Sequence, residues 1–453
     1  MPAGATVQLT SPGDELVFFL DDAPRAHSFW RSTWRRHANF ALESVPQNFT
    51  STPVLGGQCS CLVSRQGDLL AGLVLEITLT KLDNRLYDDA GASLYCRGGY
   101  HPAEALVRDA TLTLGNQTLE RVTADWLRVY DSLHRAPEAA EHYKRLTNFD
   151  AATLTSGVST TETLYLPLNF GFCRHPGLAL PLVAMWNTEV RLSLTLADAG
   201  DLGVSPDGFN VRLFADYVYV DAYEKNAMMD ADHTYLFEQV QTQSFTLPPD
   251  IPSADSATSY SAKLQFLRPV KCLYWALKDS TPGADARSNH ARYVGDYANT
   301  LLGYQPCQSA PSGLGLVSSV SERLAPVDTA RITFNGVDRL TERKGTYFNK
   351  VQPYMFCRRC PLPGLYMYSF ALSPEMLSPT GVANFSSMDD AQLHLTFKRS
   401  VTPSASGAEF AGAGAEALAA GIDTMHDLVV FAWGYNLLRV SGGEAAIVFG
   451  ADS

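Results

Sequence analysis

Along this chain apolar and polar residues alternate in short runs far more often than they recur at helical spacing. Leu73, Leu75, Ile77 and Leu79 fall on one side, Glu76, Thr78 and Thr80 on the other. That is the two-residue period of a strand with one buried face. Residues 110–114 alternate in the same way and stop at Gly115-Asn116; 164–168, 190–196 and the tyrosine-rich 211–220 complete the first half. In the second half 330–334 runs into Asn335-Gly336, and 365–370, 393–397 and 429–438 follow. Residues 125–130 and 137–146 read as short helices, and the charged, helix-friendly 221–232 as a link. Many short strands with few helices predict a two-sheet sandwich.

The order of these strands repeats. Ala330-Arg331-Ile332-Thr333-Phe334 matches Ala110-Thr111-Leu112-Thr113-Leu114 at an offset of 330 − 110 = 220. Leu365-Tyr366 matches Leu164-Tyr165 and residues 393–397 match 192–196, both at 201, and 429–438 match 211–220 at 218. Any one pair could arise by chance, because alternating strands look alike. Four in one order predict a duplicated all-β domain with about eight strands per copy. Periodicity alone leaves a jelly roll and an immunoglobulin-like sandwich both open.

Composition narrows the function. With 46% hydrophobic and 18% charged residues the chain is globular, and its 453 residues exceed a single core of roughly 250–300. A net charge of −12 argues against a surface that coats nucleic-acid phosphates. Arg31, Arg35 and Arg36 interleaved with Trp30 and Trp34 are instead expected on a strand at a subunit edge. No apolar run approaches the roughly 18–20 residues of a membrane helix. Gln8, Asp14 and Glu15 precede any apolar stretch, so a cytosolic chain without a signal peptide is expected. Cys59/Cys61 and Cys357/Cys360 are the close cysteine pairs, too far apart in sequence to suggest a zinc site. Asp21-Asp22 and Asp389-Asp390 are adjacent and point to opposite faces of a strand, which does not suit paired catalytic carboxylates. Gly313/Gly315 and Gly412/Gly414 lack the context of a dinucleotide loop, and His175 before Pro176 reads as a turn. Asn48, Asn116 and Asn384 open sequons, the last inside a turn. No enzyme is expected, with no catalytic, cofactor-binding or metal residues assigned.

One stretch is more specific. Tyr368-Ser369-Phe370-Ala371-Leu372 is followed by Pro374-Glu375, Pro379-Thr380-Gly381 and Asn384-Phe385-Ser386. In order and spacing this resembles the signature of the major capsid proteins of nucleocytoplasmic large DNA viruses, the iridovirus- and phycodnavirus-like double jelly-roll family. Arg65-Gln66-Gly67-Asp68, Arg268-Pro269-Val270-Lys271 and Asn335-Gly336-Val337-Asp338-Arg339 extend the likeness over most of the chain.

The resemblance implies an all-β fold of two tandem eight-stranded jelly rolls, with short helices in loops and linker. It places an N-terminal arm at 1–26, a first domain at 27–222 and a second at 223–453. Long inserts at 279–327 and 400–424 would form an outward surface. It further implies a structural capsid protein of the virion, assembled in the host cytoplasm as a pseudo-hexagonal homotrimer. The partners would be copies of itself, minor capsid proteins and an internal lipid membrane, without sequence-specific nucleic-acid binding. Two alternatives stand beside it: a low-copy paralogue of the same fold, and a carbohydrate-binding or glycan-cleaving β-sandwich.

Overall fold

A computed structural model of the protein describes residues 37–81, 102–148, 161–199, 204–248, 258–279, 327–359, 364–397 and 426–449. The expected arm at 1–26, Asp21-Asp22, the Trp30–Arg36 cluster, Cys360, the 400–424 insert and nearly all of 279–327 lie outside these residues.

The first half supplies β1 (Phe40–Gln47), β2 (Gln58–Leu62), β3 (Leu69–Lys81), β4 (Val107–Leu114), β5 (Gln117–Thr123), β6 (Thr161–Pro167), β7 (Val190–Leu196) and β8 (Val204–Val220). They form two four-stranded sheets, β1-β8-β3-β6 and β2-β7-β4-β5. Strand 1 neighbours 8, 2 pairs with 7, 3 with 6 and 4 with 5. These nested pairings describe one long antiparallel hairpin folded over on itself, which is the jelly roll.

The second half repeats it with β9 (His233–Thr246), β10 (Thr258–Leu264), β11 (Pro269–Asp279), β12 (Val327–Phe334), β13 (Val337–Lys344), β14 (Leu365–Ser369), the two-residue β15 (Ala383–Asn384), β16 (Ala391–Phe397), β17 (His426–Ser441) and β18 (Glu444–Ile447). The nesting is β9 with β17, β10 with β16, β11 with β14 and β12 with β13, while β15 and β18 are short additions.

Helices fill the connections: α1 (Pro102–Leu106), α2 (Ala124–His134), α3 (Pro137–Thr147) and α4 (Ala222–Asp230). A π turn over Tyr347–Val351 runs into α5 (Gln352–Phe356). The Asp221 carboxylate caps α4 by accepting from the Glu224 amide at 2.9 Å. The Asn335-Gly336 turn between β12 and β13 has φ of 50° and 78°, the left-handed pair that lets a two-residue hairpin follow the strand twist.

The second sandwich departs from simple alternation. On β17, Leu428, Val430 and Ala432 enter the core of the second sandwich, while Val429, Phe431 and Trp433 enter a cluster continuous with the first. On β11, Leu273, Trp275 and Leu277 face inward and Cys272, Tyr274 and Ala276 outward into that same cluster. Along β14, β11 and β17 the sheet is therefore buried on both faces, and these strands read as largely apolar runs, whereas β9 at the edge keeps alternating exposure. β14 was expected to carry two unlike faces, yet all five of its residues are buried. Tyr368, Leu393, Leu395 and Phe397 lie in the second core as expected. Phe370 does not: it is half-buried at the rim, among the rings of Phe334, Tyr368 and Phe385.

The repeat is present at all four expected strand pairs, but two offsets shift by one residue. Ala110, Leu112 and Leu114 face their core as Ala330 and Ile332 do, so 220 holds, and Leu192/Leu393 keeps 201. An offset of 218 would equate core-facing Val211 with outward-facing Val429. The ladders give the true match. Tyr274 pairs with Met367 and Phe431 in the second sandwich, and Val74 pairs with Pro167 and Phe214 in the first. The offsets are thus 367 − 167 = 200 and 431 − 214 = 217. Both sheets also break register at the matching place, between Leu70 and Gly72 and between Val270 and Cys272.

Candidate functional site: the seam between the sandwiches

The two sandwiches meet through α2, which follows β5 directly. Thr123 caps it, its hydroxyl accepting from the Trp126 amide at 3.3 Å. Trp126, Tyr130 and His134 recur every four residues and share one face. That face lies on the outer side of the β11–β17 sheet. Ring centroids stand 5.6 Å apart for Trp126 and Tyr274, 5.8 Å for Trp126 and Phe431, and 4.8 Å for His134 and Trp433. Aromatic pairs at such tilted or edge-on geometries contribute beyond their buried area.

Charges are buried within this apolar contact. Glu238 on β9 accepts from Arg174 Nη1 at 2.6 Å and from the Lys271 ammonium. Lys271 sits at the register break of β11, which turns its side chain into the seam. Its Nζ also donates to the Pro374 carbonyl at 2.7 Å and lies 3.4 Å from the centre of the Trp433 ring. Burial outweighs the attraction of Glu238 and pulls the ammonium from 10.5 to about 8.

Glu120 on β5 accepts from the Gly171 amide at 2.6 Å and stands 3.6 Å from Arg174; burial pushes its carboxyl up to about 7. The His134 ring binds the Tyr274 hydroxyl at 2.8 Å and Glu375 at 3.2 Å, and burial lowers its pKa. Glu375 in turn accepts from the Arg358 amide and guanidinium. A second contact closes the other end of the seam. The Ala445 amide donates to Thr188 Oγ1 at 2.9 Å and the Ile447 amide to Gln117 Oε1 at 2.9 Å.

This arrangement holds two domains in one orientation. The Lys271 side chain is fully buried, so it is not presented to a substrate, and every acid–base pair here ties a first-half residue to a second-half one or braces such a tie. The sequence did not single out Arg174, Glu238 or His134, and it brought in Lys271 only as part of the Arg268–Lys271 likeness. A signal exists for Lys271 itself, which is the lone charge within Pro269-Val270-Lys271-Cys272-Leu273-Tyr274-Trp275-Ala276-Leu277.

Among the described residues, those weighed from sequence are not gathered into a site. Cys59 and Cys61 are free and buried on β2, with thiols raised to about 11. Cys357 lies elsewhere, its sulfur 3.2 Å from that of Met367. Asp389 and Asp390 form a turn whose amides donate to Asn335 Oδ1 at 3.1 and 3.0 Å. His175 accepts from the Gly177 amide at 3.0 Å, as a turn residue does. Asn48, Asn116 and Asn384 are exposed, and the Asn384 side chain accepts from the Ser386 amide at 3.3 Å. Among the described residues no group of three His, Cys, Asp or Glu is placed to hold a metal ion, and no described helix is long and apolar enough to cross a membrane.

Residues 224–446 match the family model described as large eukaryotic DNA virus major capsid protein, and residues 28–237 match that of the major capsid protein N-terminus. The major capsid protein of Paramecium bursaria Chlorella virus 1 is 34% identical over 469 residues, covering 99% of each chain. That of Pyramimonas orientalis virus is 30% identical, covering 98% of this chain and 99% of the relative. A quasi-atomic structure of the PBCV-1 virus capsid superposes with a TM-score of 0.76 at 31% identity, over 93% of this chain and all of that one.

Proposed function

Because the chain belongs to the major capsid protein family of large eukaryotic DNA viruses, we propose that it acts as the trimeric capsomer of an icosahedral shell. It is a double jelly-roll structural protein of the virion, and it builds the capsid together with copies of itself. The homotrimer is the finer step. The observation that supports it is the rigid, duplicated unit: two similar lobes fixed by one buried seam. Three such chains present six similar lobes, and a pseudo-hexagon of that kind tiles a facet with three-fold symmetry alone.

The division into an arm at 1–26 and domains at 27–222 and 223–453 belongs to this proposal, with exposed α4 as the hinge-side link between β8 and β9. So do assembly in the host cytoplasm, minor capsid proteins and an internal membrane as neighbours, and the assignment of no catalytic, cofactor or metal residues. Light scattering combined with electron-microscope imaging of purified protein tests it. A three-chain mass and pseudo-hexagonal particles are expected. A monomer at micromolar concentration over several salt conditions refutes the trimer.

A further inference from the structure

The duplication allows each face of one lobe to be compared with its counterpart in the other, and two counterparts differ sharply in burial. The outer side of the second lobe's β14-β11-β17 ladder carries the row Met367–Tyr274–Phe431 and, one step along, Leu365–Ala276–Val429. All six are buried, and α2 of the first lobe lies against this face. In the first lobe the same ladder rows read Pro167–Val74–Phe214 and Tyr165–Glu76–Arg212. None of these six is buried, and Tyr165 is 39% exposed. One face of the pair is covered and its twin is open.

The covering element has a twin as well. α2 follows β5, and the helical stretch Tyr347–Phe356 follows β13, which is one residue longer than β5. Carried across that extra residue, Tyr130 corresponds to Val351 (351 − 130 = 221) and His134 to Met355 (355 − 134 = 221). Tyr130 and His134, together with Trp126, are the residues of α2 whose rings meet Trp433 of the second lobe at tilted or edge-on angles. At the counterparts of Tyr130 and His134 the surface is exposed: Val351, Tyr354 and Met355 share one helical face and are 42%, 89% and 60% exposed. The adjoining row, Phe348 and Gln352, is buried against the chain's own second lobe.

An open receiving face on the first lobe and an open covering helix on the second are the two halves of the contact that the chain already makes once with itself. We infer that in the assembled trimer the Val351–Tyr354–Met355 face of one copy seats on the Tyr165–Glu76–Arg212 and Val74–Phe214 face of the next, repeating the internal seam between copies. The contact is head-to-tail, with different surfaces on the two sides, so it propagates around a ring. Three two-lobed copies then close into six lobes joined by alternating internal and external versions of one contact. This deepens the capsomer reading and rests on it: the occupant of the face is a second copy of this chain.

A complementation experiment tests the assignment. Tyr354→Glu alters the covering helix at an exposed position and brings a carboxylate toward Glu76. Tyr165→Glu alters the receiving face, also at an exposed position. Each variant alone has a spoiled partner at every contact, and its mass by light scattering at micromolar concentration is expected to fall from three chains to one. Mixed in equal amounts, the two variants still possess one intact pairing, the helix of Tyr165→Glu on the sheet face of Tyr354→Glu. A two-chain species is therefore expected in the mixture only. Its appearance also establishes that both variants are folded. Trimers from either variant alone overturn the assignment while leaving the capsomer reading intact. Circular dichroism melting checks each variant separately, and a mixture that stays monomeric while both variants melt as cooperatively as the unaltered chain overturns it too. An unaltered chain that is itself monomeric removes both.

Discussion

The buried ammonium of Lys271 gives the sharpest test of the seam. Its pKa is held near 8 against an ordinary 10.5, which at 1.36 kcal/mol per pH unit corresponds to about 3 kcal/mol of disfavour for the charged form. Lys271→Met removes the charge and keeps an unbranched stem over the Trp433 ring. Glu238 is not stranded, because Arg174 remains at 2.6 Å. The Pro374 carbonyl loses a donor at a cost of about 1 kcal/mol. The variant is thus expected to be more stable than the native chain by about 2 kcal/mol at pH 7, in line with other buried ion pairs replaced by apolar groups.

The sign of the pH dependence follows from the direction of the shift. Between about 8 and 10.5 the unfolded chain holds the lysine proton and the folded chain does not, so native stability rises with pH across that window and is lost as pH falls through 8. The variant lacks this contribution. Urea unfolding of both proteins from pH 7 to 9.5, at one fixed protein concentration because assembly adds to apparent stability, should show the gap closing above pH 8 by up to about 1.4 kcal/mol per unit. A gap that does not change with pH, or a variant less stable than native by more than about 1 kcal/mol at pH 7, would refute the reasoning.

Removing the other partner should do the reverse: Glu238→Gln leaves Arg174 and Lys271 facing each other without their shared carboxylate and should cost about 3–5 kcal/mol in the same urea assay. Gly171→Ala places a methyl 2.6 Å from the Glu238 carbonyl oxygen and should cost about 1–3 kcal/mol, read as a lowered melting temperature. Phe397→Ala, in the second core, should cost about 3–5 kcal/mol and Phe370→Ala, at the rim, distinctly less; equal losses would place Phe370 in the core after all. Glu104, buried and raised to about 7, contributes stability below about 4.5 that is lost as pH rises through 7, so Glu104→Gln should flatten the stability profile between pH 5 and 7.

Much of the fold was legible in the sequence, and the exceptions share one physical cause. Where a sheet has one wet face, the side-chain period survives in the letters: Leu73, Leu75, Ile77 and Leu79 are buried as their alternation predicts, and Leu192 and Leu393 are aligned correctly. Where both faces are dry, no polar residue marks the phase. Val429-Val430-Phe431-Ala432-Trp433 is apolar throughout, so sliding it by one residue against 211–220 costs nothing in resemblance while exchanging its two faces. The misplacement of Phe370 is a related case, since it follows the last residue of β14 and alternation does not say where a strand leaves the core. The seam was legible only at Lys271, the lone charge in an apolar run. Arg174, Glu238 and Lys271 are separated by 238 − 174 = 64 and 271 − 238 = 33 residues, and their meeting depends on how the lobes pack, which no local pattern encodes.

The contrast between the two equivalent sheet faces also explains their chemistry. The internal contact forms once, as the chain folds, and never has to face water as a stable state. It can therefore consist of Met367, Tyr274, Phe431, Leu365, Ala276 and Val429, with buried ion pairs fixing the orientation. The twin face must remain soluble on every copy that has not yet assembled, and a contiguous apolar patch there would invite unregulated association. It carries the Arg212–Glu76 ion pair across its centre, with Phe214 beneath the guanidinium and Tyr165 at the side. The covering helix obeys the same constraint, with Lys350 and Arg358 flanking its exposed apolar residues. A duplicated domain thus supplies one geometry twice, and the difference in polarity between the two versions separates a contact made in folding from one made in assembly.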